Sequence, residues 1–116
     1  MLLPSTHKVW LYGSPIDGRK SIDGLVMVIA EQLEALPQSG DIFVFCNRRR
    51  DKLKLIYWDC NGFCLFYKRL ERERFKMPPV QGTACAMTAQ QLRWLLDGLD
   101  ITRLQGHKRC ALDTYY

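Results

Sequence analysis

DIFVFCNRRRDKLKLIYWDCNGFCLFYKR, residues 41–69, sets three short apolar runs apart by one basic turn and one Asn-Gly turn. Runs of this length rich in β-branched and aromatic residues are strand formers. Asn-Gly between two of them is a strong hairpin signal, because both central positions of a type I′ turn need positive φ. The stretch therefore reads as a three-stranded antiparallel meander. With Asn61-Gly62 as a two-residue loop, Cys60 faces Phe63, Trp58 faces Leu65, Tyr57 faces Phe66, Ile56 faces Tyr67 and Lys54 faces Arg69. A five-residue loop over 47–51 opposes Cys46 to Lys52, Phe45 to Leu53 and Phe43 to Leu55. One face then holds Phe43, Phe45, Leu53, Leu55, Tyr57, Cys64, Phe66 and Leu70, and is expected to form the core under a helix. The other holds Ile42, Val44, Lys54, Ile56, Trp58, Phe63, Leu65, Tyr67 and Arg69, and is too apolar to stand bare. A one-residue change in the first loop exchanges the faces of the first strand alone.

Outward from this sheet, Leu25, Val26, Ile29, Leu33 and Leu36 recur at spacings of three and four, so residues 22–36 read as an amphipathic helix with Ser21 as N-cap, stopped by Pro37-Gln38-Ser39-Gly40. Upstream, VWLY at 9–12 reads as an edge strand or extended arm, closed by Gly13 and Pro15. Downstream, residues 70–76 alternate in sign, Met77-Pro78-Pro79 ends any regular element, and 79–86 reads as a linker. Thr88 and Gln91 make a capping box for a short helix carrying Leu92, Leu95, Leu96 and Leu99. Residues 101–116, with Arg103, His107, Lys108 and Arg109, are expected to fray. The expected fold is α+β, a three-stranded antiparallel meander packed by one amphipathic helix, in the order β-α-β-β-β-α. It is one domain over 1–116 with its core at about 8–100.

A hydrophobic fraction of 47% with 25% charged residues is ordinary for a folded globular protein, and suggests neither a disordered chain nor a membrane span. The apolar runs are too short for a bilayer, and MLLPSTHK has no signal-peptide core, so a cytoplasmic address and no membrane partner are expected. Five cysteines without a C-x-x-C pair argue against a disulfide framework, and with His7 and His107 as the sole histidines no metal or cofactor is expected.

Lysines and arginines outnumber acids by 17 to 12, an excess that favours a polyanion partner if it is concentrated. It is: Arg48-Arg49-Arg50, flanked by Lys52 and Lys54, sits on a hairpin tip, where forked guanidinium groups reach phosphates at small desolvation cost. Arg19 and Lys20, before a helix whose positive dipole end they oppose, together with Lys68 and Arg69, complete the candidate DNA-contact set. Trp58, Phe63, Leu65 and Tyr67 are the candidate partner-binding face, for a protein, a second copy or stacked bases. The chain carries no phosphate-cradling glycine loop, no G-x-S-x-G and no Cys-His or Ser-His motif, so it is not expected to be an enzyme. A metal-dependent nuclease built on Asp17 or Asp59 is the one catalytic alternative.

IDGRKSIDGL at 16–25, SGDIFVFCNRRRDKLKLIYWD at 39–59 and NGFCLFYKRLERERF at 61–75 resemble the TnpB (Orf2-like) accessory proteins of insertion-sequence family sixty-six, with weaker similarity through MTAQQLRWLLDGLD at 87–100. Glu73 and Met77 depart from that pattern, which has Gly and Trp there. The resemblance implies an accessory factor that works beside a DDE-type transposase and has no catalytic residue, metal or cofactor of its own. Two readings follow: a basic DNA-associated module, or an adaptor that docks on the transposase without touching DNA.

Overall fold

The computed structural model describes residues 8–105; the expected tail positions His107, Lys108 and Arg109 lie outside the described residues. Five strands form one mixed sheet: β1 (Val9–Tyr12), β2 (Ile42–Cys46), β3 (Lys52–Asp59), β4 (Gly62–Arg69) and β5 (Ala84–Met87), in the spatial order β4-β3-β2-β1-β5. The meander β2-β3-β4 is antiparallel as expected, but it makes up only part of the sheet. β1 lies inside the sheet, parallel to β2 and antiparallel to β5, so the reading of 9–12 as an edge strand or arm is corrected. Likewise, part of the expected linker at 79–86 is strand, since Ala84–Met87 supplies the hydrogen-bonding edge that β1 needs.

Parallel neighbours require a crossover, and the helix α1 (Ile22–Glu31) provides it between β1 and β2. Ser21 is its N-cap by backbone geometry, without a side-chain cap bond. The helix is shorter than the periodicity implied. Glu34 adopts φ 52°, Pro37 disfavours a helical residue before it, and a 3-10 turn at Pro37–Ser39 follows, leaving Leu36 exposed. Helix α2 (Ala89–Leu96) has the expected capping box, with Thr88 accepting from the Gln91 amide and the Gln91 side chain accepting from the Thr88 amide. A further short helix α3 (Ile101–Gln105) starts where the tail was expected, and its Ile101 is buried.

Both hairpin registers differ from expectation, with different consequences. In β3-β4 the two-residue turn is Cys60-Asn61, with Cys60 at φ 56°, and Asp59 opposes Gly62, Ile56 opposes Leu65 and Lys54 opposes Tyr67. The slide is by two positions in the pairing, so each side chain keeps its face. In β2-β3 the loop is one residue shorter: Asn47, expected in the loop, meets Lys52, while Cys46 opposes Leu53, Phe45 opposes Lys54 and Phe43 opposes Ile56. That single step turns β2 over.

Phe43 and Phe45 consequently lie on the face with Ile56, where Leu25 and Ile29 of α1 bury them together with Phe63 and Leu65. The other face, with Val9, Leu11, Ile42, Val44, Leu53 and Leu55, is covered by Leu92 and Leu95 of α2, Ile101 of α3 and the buried Phe75. Helices thus cover both sides, correcting the assignment of α1 to the Leu53 and Leu55 face. Burying two such faces gives a chain of 116 residues the core it needs for stability.

Candidate nucleic-acid interface

The arginine loop is built by the two residues that bracket it. Asn47 is buried, its Oδ1 accepts from the amides of Asp51 (3.1 Å) and Lys52 (3.0 Å), and its Nδ2 donates to Asp51 Oδ1 at 2.7 Å. That hydrogen bond, with Lys52 3.6 Å away, holds the Asp51 carboxyl below its ordinary range. The Arg50 amide donates to Asn47 O to close the turn, and Arg50 takes φ 64°, a conformation that costs a non-glycine residue free energy. Arg48, Arg49 and Arg50 therefore stand exposed on a fixed arch, and among the described residues none of them forms an ion pair.

Two neighbouring segments are tied to this arch. The Phe75 amide donates to Arg50 O (2.7 Å) and the Leu70 amide to Asp51 O (2.8 Å), which brings the exposed Arg72, Arg74 and Lys76 alongside. On the other side the Ile16 amide donates to Cys46 O at 3.0 Å, drawing the loop 13–20 against the arginines. Its Gly18 lies so close that a Cβ there would sit 3.0 Å from Lys52 Cδ. One end of the sheet thus gathers the arginine loop, Lys20, Lys52 and Arg69, the last two opposed across β3 and β4.

The remaining sequence candidates divide sharply by what they touch. Lys54 is only 7% exposed, and its Nζ donates to Gly18 O (2.8 Å) and Lys20 O (2.5 Å), with the Tyr67 ring 5.0 Å away. Burial, and then Lys52 nearby, lowers its pKa. Lys68 lies on the opposite face and donates to Leu96 O (2.7 Å) at the end of α2. Both ammonium groups donate to backbone carbonyls and so take part in holding the fold together, unlike the arginines of the loop. Arg19 is exposed but clasped by Asp17 (Nη2–Oδ2 2.8 Å, Nε–Oδ1 3.1 Å), whose carboxyl this hydrogen bonding holds well below the usual range. Arg69 is exposed and paired with Glu71 at 3.0 Å.

Of the aromatic face, Phe63 and Leu65 are packed under α1, Trp58 meets Phe63 edge-on at 4.9 Å, and Tyr67 alone is markedly exposed. Asp17 and Asp59 are not brought together. Asp17 neighbours the start of β3 and Asp59 ends it, roughly 20 Å further along at the rise of a strand. The Cys46 thiol is buried, and burial pushes it up to about 11, which disfavours the thiolate. Among the described residues no group of three or more His, Cys, Asp or Glu side chains is placed to hold a metal, and no helix is long and apolar enough to cross a membrane.

What the sequence reading passed over is the frame: Asn47, Asp51, Phe75 and the cations of 72–76. The visible signal was polar Asn and Asp at the two ends of an arginine run, a pairing that turn chemistry favours. Two proteins of Sinorhizobium fredii, printed as "Uncharacterized protein y4jC" and "Uncharacterized protein y4hO", are each 40% identical to this chain, over 98 and 101 residues. The matches cover 84% and 85% of this chain and 84% and 88% of theirs. No solved structure matches it significantly. The sequence model described as IS66 Orf2-like protein matches residues 7–106, and the chain belongs to that family.

Proposed function

We propose that the protein is an accessory factor in transposition of an IS66-type insertion element and that it works as a DNA-associated module beside the element's transposase. The family supports the accessory role. The DNA contact rests on one observation: three exposed arginines on an arch fixed by buried hydrogen bonds, with no ion-pair partner among the described residues. Exposed guanidinium groups on a rigid frame lose little entropy when they take phosphates in forked hydrogen bonds. Lys20, Lys52 and Arg69 extend the same positive end, and Arg19 joins it once phosphate competes with Asp17.

The adaptor reading is weaker, because α1 already covers much of the apolar face it needs: Phe63 and Leu65 are packed there. The test is fluorescence anisotropy with element-end and random duplexes across a salt series, with and without transposase. Each phosphate contact contributes about 0.9 to the slope of log affinity against log salt, so replacing all three arginines by Ala lowers that slope by about 2–3. Unchanged affinity and slope in the triple variant refute the contact. Binding to the transposase that persists at high salt, without DNA affinity, identifies the adaptor instead.

A further inference from the structure

A groove of about 480 Å³ opens beside the arginine loop, between Pro15 and Tyr12 on one side, Arg48 and Arg50 on another, and Met77 and Pro78 on the third. All three walls are pinned by backbone hydrogen bonds. The Gly13 amide donates to Thr83 O at 2.8 Å, the Ile16 amide to Cys46 O at 3.0 Å, and the Phe75 amide to Arg50 O at 2.7 Å. Gly13 permits the approach of the third wall, since a Cβ there would lie 2.9 Å from Val80 Cγ1. The groove is thus preformed, and prolines on two walls restrict its backbone further.

We propose that this groove takes one unpaired nucleotide of a DNA single strand, with the base against Met77, Pro78 and Tyr12 and the phosphate between Arg48 and Arg50. The proposal rests on the DNA-contact reading above and names the form of DNA. Its warrant is the juxtaposition of unlike walls. Phosphate alone would be served by the arginines on the open arch, whereas an apolar wall next to them matches a ligand with a flat apolar body and an adjoining anion. In a duplex the bases are stacked inside and cannot enter, so occupancy requires an unstacked base. Base stacking on side chains is sequence-tolerant, so little preference among the four bases is expected.

The test uses the full chain and four probes: a ten-nucleotide oligothymidylate, a duplex of equal length, dTMP at matched nucleotide concentration, and polyglutamate as a competing polyanion. The single strand is expected to bind roughly tenfold more tightly than the duplex, in line with the contribution of one stacked base. Met77→Gln and Gly13→Ala should shrink that ratio toward one, and thermal melting verifies that each is folded. An oligonucleotide carrying one 5-iodouracil, irradiated with the unaltered protein, should place its adduct on Tyr12 or Met77. A ratio near one in the unaltered protein, or adducts elsewhere, overturns the groove assignment. Competition by dTMP equal to that of the strand overturns the strand assignment in favour of a free nucleotide. Equal competition by polyglutamate overturns the nucleotide assignment altogether. If the triple arginine variant loses duplex affinity while the unaltered protein shows no strand preference, only this inference fails. If that variant keeps all affinity, the reading beneath it fails.

Discussion

Replacing Lys54 by Met keeps most of a buried aliphatic stem and removes its ammonium group. In the native protein that group donates to Gly18 O and Lys20 O at 2.8 and 2.5 Å and joins β3 to the loop before α1, more than thirty residues away in sequence. Hydrogen bonds from a charged donor contribute about 1.5–3 kcal/mol each, giving a gross loss of about 3–6 kcal/mol. Against this stands the cost of burying the ammonium, visible in its lowered pKa, and this cost disappears with the charge. The net expectation is a loss of about 2–3 kcal/mol, or a fall in Tm of roughly 8–15 °C for a domain of this size. Urea and thermal unfolding measure it, and DNA titration at a temperature where both proteins are folded should show an unchanged salt slope. If stability were unaltered and the slope fell by about one, Lys54 would be a phosphate ligand and the structural reading of its contacts would be wrong.

Asn47→Ala leaves the amides of Asp51 and Lys52 without their acceptor and should cost about 2–3 kcal/mol in urea unfolding, with weaker DNA binding as the arch loosens. Asp51 titrates below its ordinary 3.8 in the folded state, so its contribution is complete above that value and is lost as pH falls through the folded pKa. Urea midpoints measured from about pH 5 to pH 2 should therefore fall less steeply for Asp51→Asn than for the unaltered protein. Arg50→Gly removes the penalty of φ 64° but enlarges the freedom of the unfolded chain, so stability should change by less than about 1 kcal/mol while DNA affinity drops several-fold by anisotropy. Lys68→Ala uncaps the Leu96 carbonyl and should cost about 1–2 kcal/mol, with hydrogen exchange accelerated first in α2.

The division of β3 and β4 into two faces could be read from period-two alternation and an Asn-Gly turn, and it survived a slide in register because that slide was even. The capping box at Thr88 was equally local and equally readable. β2 was placed on the wrong faces because its orientation depends on where one loop closes. That is decided by the Asn47 side chain capturing two amides, a choice absent from any hydrophobic pattern. The parallel pairing of β1 with β2 spans more than thirty residues and has no turn to announce it, and β5 is four residues of Ala, Cys and Met with little strand signature. At the candidate interface the arginine run was plain in the sequence. Lys54 and Lys68 looked identical to it there, because what separates a structural cation from a free one is a carbonyl brought near by the fold.

That separation is the strongest reason to assign the arginine loop to binding. The two lysines that stabilise the fold are partly or fully withdrawn from water and directed at backbone carbonyls. The three arginines do the opposite: they are exposed, adjacent in sequence and therefore mutually repelling, and one occupies a backbone conformation that glycine would adopt more cheaply. The Arg50 backbone closes the turn and anchors Phe75, but the three exposed guanidinium groups add nothing to that. Asn47, Asp51 and Phe75 nonetheless spend buried hydrogen bonds and a buried ring on keeping the arch in place. A rigidly held cluster of like charge is the arrangement an external polyanion would neutralise, and that is the ground on which the proposed DNA contact stands.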